Sequence, residues 1–368
     1  MFTERLGRVR DRMRELDVEV LLLSVGPELP YLTGYEAMPL ERLTMLVLPV
    51  DGEATLLVPR LEAPRVVERP EVFRLEAWDE TDDPVARTAA LVGPAATVAV
   101  GDRTWARFLV DLQPQVGARR WVRGNDVVGP VRAVKDAAEI EALLAAGAAA
   151  DRVAAQLQAG EIPLRGRTEA EVSADLGRRL VAEGHHKVNF AIVAAGPNAA
   201  SPHHEPGSTV IEEGQAVLCD FGGTMHGPGG VGYCSDITRV VAVGSAPDEL
   251  VEAYAALHDA QQAAVAAAVV GASCESVDQV ARRHLVEAGW GEWFIHRTGH
   301  GIGIEEHEDP YIVEGNATPL AAGHAFSVEP GVYPTGRWGI RLEDIVVATD
   351  DGPLPCNRAD HSLVVVDA

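Results

Sequence analysis

Apolar and polar positions follow two different periods in the first 130 or so residues. Residues 4–16 carry apolar side chains at helical spacing, which predicts an amphipathic helix. Short apolar runs with the composition of β-strands follow at 18–24, 44–50, 53–59 and 96–101. The segment 27–35 reads as rich in turns. Strands that alternate with helical stretches predict an α/β domain over residues 1–132.

A second pattern begins after residue 132. Asp136 is followed three positions later by Glu139, as in a capping box that opens an Ala-rich helix. Further helix starts lie at Thr168, Pro247 and Glu275, with apolar strand patterns between and after them. Helices packed on a mostly antiparallel sheet form an α+β domain, which we expect over residues 133–368.

Composition and charge narrow the class of protein. The 368 residues are 47% hydrophobic, which is enough for more than one core. The net charge of −24 argues against nucleic acid and against anionic membranes as partners. Without an 18-residue apolar run or a signal-peptide pattern, the expected location is the cytoplasm. The four cysteines are too sparse and irregular for a disulfide scaffold, so we expect reduced thiols.

Five residues between positions 220 and 343 share apolar or glycine-rich surroundings in which an unpaired charge is costly to bury. They are Asp220, Asp236, His300, Glu329 and Glu343. If they converge, four carboxylates repel one another, at roughly 4 kcal/mol per pair about 4 Å apart with an effective dielectric of 20. One divalent ion leaves two negative charges, whereas two ions balance the set. Four carboxylates and one imidazole therefore predict a two-metal hydrolytic centre.

Local strand geometry suggests how these ligands meet. Asp220 ends one strand and Asp236 begins the next, so a hairpin with the Gly-rich loop 222–232 places them side by side. On the strand 340–347, alternation puts Arg341 and Glu343 on one face and Asp344 on the other. The glycines around His300 allow the backbone to approach metal or substrate closely.

The motifs CDFGG, SDITR, GHGIG, VEPGVY and RLED resemble those of the pita-bread metallopeptidases. This family includes Xaa-Pro dipeptidase, aminopeptidase P and methionine aminopeptidase, and the segment 27–35 resembles the start of its creatinase-like N-terminal domain. The resemblance implies a pita-bread catalytic domain over residues 133–368. It also implies that Asp220, Asp236, His300, Glu329 and Glu343 are the metal ligands.

Other roles follow from the same resemblance. His203 and His307 look like the two family histidines that contact the substrate or the tetrahedral intermediate, and Glu329 resembles the general base. We expect Arg341 to bind substrate or orient Glu343. We expect His296 to support His300 if a helical turn runs through both. His204 is expected to be a bystander.

The implied function is hydrolysis of the peptide bond before proline by a hydroxide shared between two divalent metal ions per chain. Manganese is expected, with Co, Zn or Fe as alternatives. The best reading is an Xaa-Pro dipeptidase that acts on small proline-containing peptides, as a homodimer. Three alternatives stay open: an aminopeptidase P, a non-peptidase pita-bread hydrolase or lyase, and a non-catalytic binding module.

One feature departs from the human type of dipeptidase. Those enzymes carry an arginine shortly before the VEPG strand that grips the carboxylate of proline. Here residues 310–324 contain neither Arg nor Lys. This absence argues against a dipeptide-only pocket of that kind, unless Arg297, Arg337 or Arg341 takes the place of that arginine.

Overall fold

The computed structural model describes residues 1–367, which form two compact units. The first unit comprises Met1–Arg132 and the short segment Gly229–Val231. The second comprises Ala133–Pro228 and the chain from Gly232 onward. Among these residues, no helix combines the length and apolar character needed to cross a membrane.

A six-stranded mixed sheet forms the centre of the first unit. Its strands are β1 (Val20–Leu23), β2 (Met45–Pro49), β3 (Thr55–Pro59), β4 (Arg74–Trp78), β5 (Thr97–Val100) and β6 (Arg120–Arg123). They lie in the order β4-β3-β2-β1-β5-β6, with β1, β5 and β6 parallel and β1 antiparallel to β2. The helices are α1 (Phe2–Glu15), α2 (Glu28–Thr33), α3 (Pro84–Val92), α4 (Ala106–Val116) and α5 (Asn125–Ala133). The predicted α/β class is confirmed.

Some elements of the first unit differ from what the sequence pattern indicates. The segment 27–35 is not a series of turns, because α2 runs through it and ends at Gly34 in the left-handed region, with φ of 73°. The strands β4 and β6 are largely only partly buried, and charged residues interrupt or flank their apolar positions, so neither shows the apolar run that marks a strand. Their register with neighbouring strands defines them instead.

The second unit contains two larger sheets and a two-stranded ribbon. The first sheet joins β7 (Lys187–Ala195), β8 (Ala216–His226), β9 (Gly232–Cys234), β10 (Ile237–Val243) and β18 (Val364–Val366). The second joins β11 (Gly299–Gly301), β12 (Glu308–Ile312), β13 (Ala325–Val328), β16 (Asp344–Thr349) and β17 (Gly352–Pro355). The ribbon pairs β14 (Gly331–Val332) with β15 (Ile340–Arg341). Of these pairings only β10 with β18 is parallel, so the predicted mostly antiparallel α+β class is confirmed.

Four helices complete the second unit within the described chain. They are α6 (Ala137–Gln158), α7 (Glu169–Ala182), α8 (Asp248–Ala267) and α9 (Cys274–Glu287). The predicted capping box at Asp136 and Glu139 is confirmed, and Thr168 forms another with Glu171. Helices α6 and α7 share one apolar core with the first sheet, while α8 and α9 share another with the second sheet. The four cysteines are buried and free.

The hairpin that carries Asp220 differs from its prediction. Strand β8 does not end at Asp220 but continues to His226, where β9 pairs with it through Thr224 opposite Cys234. The glycines at 222 and 223 are therefore strand residues, and the loop shrinks to 227–231. A Cβ on Gly222 would lie 2.2 Å from the Ser235 carbonyl oxygen, so glycine here permits close packing of strands.

Candidate metal centre

Five side chains from separate elements converge on one pocket of about 610 Å³ in the second unit. Asp220 comes from the middle of β8, Asp236 precedes β10, His300 lies in β11, Glu329 follows β13, and Glu343 precedes β16. All are buried except Glu329, whose side chain is 14% exposed and the most open of the five. The tertiary structure thus assembles the whole predicted ligand set.

The distances within the cluster are those of potential ligands to shared ions. One ligand atom from each of Asp236, His300 and Glu343 lies within 4.8 Å of the other two. The His300 Nε2 is 3.2 Å from Glu329 Oε1 and 3.8 Å from Asp236 Oδ2. The Nδ1 of His300 is 3.1 Å from the Gly301 carbonyl oxygen. A proton held there leaves Nε2 free to act as a ligand.

Burial and mutual repulsion perturb the carboxyl groups. Burial, followed by the charges of Glu343 and Asp220, raises the pKa of Asp236 well above its usual value. Burial and the neighbouring carboxylates raise the pKa of Glu343 in the same way. Burial also raises the pKa of Asp220, although the charge of Arg341 opposes the shift. At Glu329 burial is outweighed by the hydrogen bond and charge of His300, which lower the pKa to about 2.

The donor set fits divalent cations. Asp220 Oδ1 and Asp236 Oδ1 are buried and have no hydrogen-bond partner among the described residues. A buried carboxylate oxygen without a partner is costly, and a cation removes that cost. Oxygen ligands with one imidazole suit Mn, Fe, Co or Zn. Bound cations would both pair with these two oxygens and reduce the repulsion between the carboxylates, so the residues of the site fit divalent ions.

Serine and threonine hydroxyls orient the ligands. The Ser327 hydroxyl donates to Glu329 Oε1 at 2.9 Å and accepts from the His300 backbone N–H at 3.0 Å. The Thr238 hydroxyl donates to Glu343 Oε2 at 2.6 Å. Neither hydroxyl stands out in the sequence, although the spacing of Ser327 two residues before Glu329 places both side chains on one strand face.

Arg341 lies inside the site as predicted, and its contacts tie it to protein groups. Its Nη2 donates to Asp220 Oδ2 at 2.5 Å, and its Nε donates to the Thr238 hydroxyl at 3.0 Å. Its Nη1 donates to the Tyr333 hydroxyl at 2.9 Å and to the Pro202 carbonyl at 3.4 Å. Arg341 is thus placed to orient Asp220 and Thr238, and its contact with substrate stays a prediction.

Asp344 points away from the site, as alternation predicts, although the strand is interrupted between β15 and β16. Its carboxylate accepts from Arg239 Nη2 at 2.7 Å and from Gln261 Nε2 at 3.1 Å, and it lies 2.6 Å from His361 Nε2. The fully buried Arg239 also donates to the Glu343 carbonyl at 2.7 Å. These contacts, which brace Glu343 from behind, have no local signature in the sequence.

The predicted histidines have different surroundings. His203 and His307 both line the pocket and are exposed, and the His307 ring packs 4.0 Å from that of His300. Partial burial, then the charges of His300 and Arg297, lower the pKa of His307 to about 4. His296 also lines the pocket, with Nε2 2.9 Å from the Tyr333 hydroxyl.

One expectation about this region is wrong. No helical turn links His296 to His300, because residues 294–298 are irregular and β11 begins at Gly299. The glycines on either side of His300 lie close to neighbouring strands, and the approach of this backbone to metal or substrate stays a prediction. A Cβ on Gly299 would lie 1.8 Å from the Ser327 carbonyl oxygen, and one on Gly301 would lie 2.3 Å from the Asp309 carbonyl oxygen. Both glycines let β11 pack against its neighbours.

Comparison with known families agrees with the fold and the site. The model of metallopeptidase family M24 matches residues 140–350, and the creatinase/prolidase N-terminal domain matches residues 5–134. The chain belongs to metallopeptidase family M24, which confirms the resemblance seen in its motifs. It is accordingly a metallopeptidase that uses divalent metal ions.

Similar proteins span essentially the whole chain. The probable dipeptidase PepE of Mycobacterium tuberculosis is 42% identical over 371 residues, covering 100% of this chain and 97% of that protein. The Xaa-Pro dipeptidase of Lactobacillus delbrueckii subsp. lactis is 34% identical over 384 residues, covering 98% of each. The crystal structure of dipeptidase PepE from Mycobacterium ulcerans matches with a TM-score of 0.92 and 43% identity, covering 99% of this chain and 98% of that one.

Proposed function

We propose that this protein is an Xaa-Pro dipeptidase that hydrolyses the bond between an N-terminal residue and proline. The observation that carries the proposal is the convergence of four carboxylates and one imidazole in a pocket with an apolar wall. Phe190, Ile192 and Pro202 form that wall, which suits the ring of proline. The names of the similar dipeptidases support the same substrate class.

Asp220, Asp236, His300, Glu329 and Glu343 would hold two divalent ions, for which Mn²⁺ is our first choice. When bound, such ions polarise a carbonyl oxygen and lower the pKa of water. Side chains of the protein stabilise the developing negative charge and transfer the proton. His203 and His307 face the pocket and donate hydrogen bonds to the carbonyl oxygen as it gains negative charge.

Glu329 is the proposed proton carrier. Its side chain is the most exposed of the four carboxylates, so it can reach both the attacking water and the leaving nitrogen. It accepts the proton of the water and delivers it to the nitrogen of proline as the peptide bond breaks. Ser327 holds Oε1 during this transfer.

The test uses metal-stripped protein reloaded with Mn²⁺ and the matched substrates Ala-Pro and Ala-Pro-Ala. Cleavage of Ala-Pro alone is the expected result. Release of Ala from the tripeptide at a comparable rate would make the protein an aminopeptidase P. If neither peptide is cleaved, the result would favour a non-peptidase hydrolase or lyase, or a binding module.

Two broader expectations accompany the function. The cytoplasm is the proposed location, which four buried free thiols fit because reducing compartments preserve them. A homodimer is the proposed assembly, since symmetric dimers are the commonest soluble oligomers. Sedimentation at several protein concentrations measures the second point, and a monomer at every concentration would refute it.

A further inference from the structure

A second cavity of about 640 Å³ lies in the second unit, where helix α8 and the C-terminal segment 358–363 line it. We call it the outer cavity. Among residues 1–367 it shares no lining residue with the pocket of the metal centre. His361 lines the outer cavity, and its side chain is 26% exposed. A small molecule can therefore reach His361 from solvent without entering the metal centre.

The ring of His361 also contacts a buried ion pair. Its Nε2 lies 2.6 Å from Asp344 Oδ2, and Asp344 Oδ1 accepts from Arg239 Nη2 at 2.7 Å. Asp344 and Arg239 are both buried. A carboxylate paired with a guanidinium accepts hydrogen bonds only, so the proton of the His361 ring is on Nε2. The contact between His361 Nδ1 and the Gln262 Nε2 donor, at 3.4 Å, agrees with this tautomer.

Arg239 joins the C-terminal segment to the backbone of the proposed ligand Glu343. Its Nη1 donates to the carbonyl oxygens of Glu343 at 2.7 Å and of Thr238 at 2.9 Å. Its Nε donates to the Asp360 carbonyl at 2.9 Å, and its Nη2 donates to the Ala359 carbonyl at 3.0 Å. One guanidinium therefore holds three segments of the chain together.

The same contacts influence the direction of the Glu343 carboxylate. The Thr238 hydroxyl donates to Glu343 Oε2 at 2.6 Å, and the two residues form an isolated β-bridge. Groups that orient metal ligands matter for binding, because their loss typically lowers metal affinity or activity 10–100-fold. Contacts that fix Thr238 and Glu343 should therefore change how tightly an ion is held.

Loss of His361 would weaken this arrangement at its outer end. Within residues 1–367, Gln261 Nε2 at 3.1 Å is the one donor that Asp344 Oδ2 would retain. A buried charge that loses a partner is strongly destabilised. We expect Asp344 and Arg239 then to shift towards the outer cavity, and the Glu343 carbonyl to move with them.

We propose that His361 is a positioning residue that sets the metal affinity of the catalytic centre through Asp344 and Arg239. The inference rests on the proposed role of Glu343 as a metal ligand. His361 acts from outside the pocket of the metal centre, so it changes the affinity for metal without contacting metal or substrate.

The first test measures the apparent Kd for Mn²⁺ by competition with a fluorescent chelator. His361→Ala should raise this Kd roughly 10-fold, at the lower end of the range for lost support of a ligand. His361→Gln, whose amide can donate to Asp344, should recover part of the affinity. His258→Ala is the matched control, because His258 lines the outer cavity but, in the described part of the chain, does not contact Asp344. It should bind Mn²⁺ as the wild type does.

Free imidazole provides a second measurement that a merely structural role would not change. In His361→Ala it can enter the outer cavity and donate its N–H to Asp344, so it should lower the Kd for Mn²⁺ towards the wild-type value. N-methylimidazole is the matched control compound, because it can still bind metal ions but has no N–H to donate. It should not restore the affinity, and imidazole should leave the wild-type Kd unchanged.

The results separate the role of His361 from the ligand role of Glu343. Glu343→Gln should weaken Mn²⁺ binding more than His361→Ala does. If only Glu343→Gln weakens binding, or if both imidazoles restore the affinity of His361→Ala equally, the positioning role is wrong and the ligand role stands. If Glu343→Gln binds Mn²⁺ as the wild type does, both are wrong. Should His361→Ala fail to fold, His361→Phe, which keeps a ring but has no N–H, replaces it in the first test.

Discussion

Adjacent residues in this chain have unrelated tasks, as His203 and His204 illustrate. His203 is exposed and lines the pocket. The His204 Nε2 lies 2.8 Å from Glu169 Oε2, and that buried carboxylate also accepts from the backbone N–H groups of Ala195 and Gly207. His204 thus anchors the segment that presents His203, and the identity of the residue type says nothing about which of the two meets substrate.

Replacing these two histidines separates the roles. His203→Ala should lower kcat by roughly 10²–10³-fold, because it removes a donor to the developing negative charge. His204→Ala should retain most of kcat and lower the free energy of unfolding by about 1 kcal/mol, since it removes one of several partners of Glu169. Steady-state kinetics and urea unfolding of both variants check this. An unchanged kcat in His203→Ala would demote that residue to a structural one.

Replacement of Glu329 tests its proposed role as the proton carrier. Glu329→Gln keeps the shape of the side chain but cannot accept a proton, so kcat should fall by at least about 10²-fold. Glu314→Gln is the matched control, because Glu314 is an exposed carboxylate outside the pocket lining. Stopped assays with Ala-Pro and metal analysis of both variants provide the measurement. Near-normal turnover by a metal-loaded Glu329→Gln protein would contradict the assignment.

At the scale of elements, glycine in this protein marks strands that pack unusually close together. Gly222, Gly223, Gly299 and Gly301 all lie in strands, and each would place a Cβ within 3 Å of a backbone oxygen. These strands carry Asp220 and His300. The close packing of these strands fixes the distance between the proposed metal ligands that they carry. A metal site built from several strands requires such fixed distances.

Substituting one of these glycines tests this reading. Gly222→Ala should destabilise the second unit by about 1–3 kcal/mol or more, because its Cβ would meet the Ser235 carbonyl oxygen at 2.2 Å. Gly177→Ala is the control within helix α7, where the new Cβ would meet only Val188 methyl groups at 3.6 and 3.7 Å. It should stabilise the helix by roughly 0.5–1 kcal/mol. Equal stability of the two variants in urea unfolding would refute the packing argument.

For the whole molecule, we expect metal binding and folding to be coupled. The sheets of the second unit bring four acidic groups together at a pocket where most of each side chain is withdrawn from water. Burial raises the pKa of Asp220, Asp236 and Glu343 in the metal-free protein. A carboxyl whose pKa is higher in the folded than in the unfolded state stabilises the fold at low pH, and this contribution is lost as the pH rises.

The gain in stability from metal should therefore grow with pH. Mn²⁺ at a hundredfold excess over its Kd adds roughly 3 kcal/mol to the free energy of unfolding. Protons compete for the same oxygens, so we expect the difference in Tm between Mn²⁺-loaded and chelator-treated protein to be larger at about pH 7.5 than at about pH 5.5. Scanning calorimetry at both pH values measures it. A difference independent of pH would mean that these carboxyls do not bind the metal.

The sequence by itself determined the elements that rest on strong local patterns. Capping boxes, apolar runs and the five motif residues predicted the helices of the second unit, its main strands and the family, because each depends on neighbours within a few positions. Charge balance among Asp220, Asp236, His300, Glu329 and Glu343 was enough to predict bound cations. Their membership in the ligand set remains a prediction that the convergence in the structure supports.

Only the tertiary structure decided which partners these residues meet. The continuation of β8 beyond Asp220, the hydroxyls of Ser327 and Thr238, and the brace of Arg239 and Asp344 depend on segments up to 105 residues apart. Arg297 and Arg341 look alike in sequence, yet every side-chain nitrogen of Arg341 donates to a protein oxygen. Among the described residues, Arg297 lies over Tyr311 with no carboxylate at salt-bridge distance. Local patterns reflect the preferences of the backbone and the need to bury apolar side chains. The pairing of charges depends on distances that the chain acquires only when its sheets pack together.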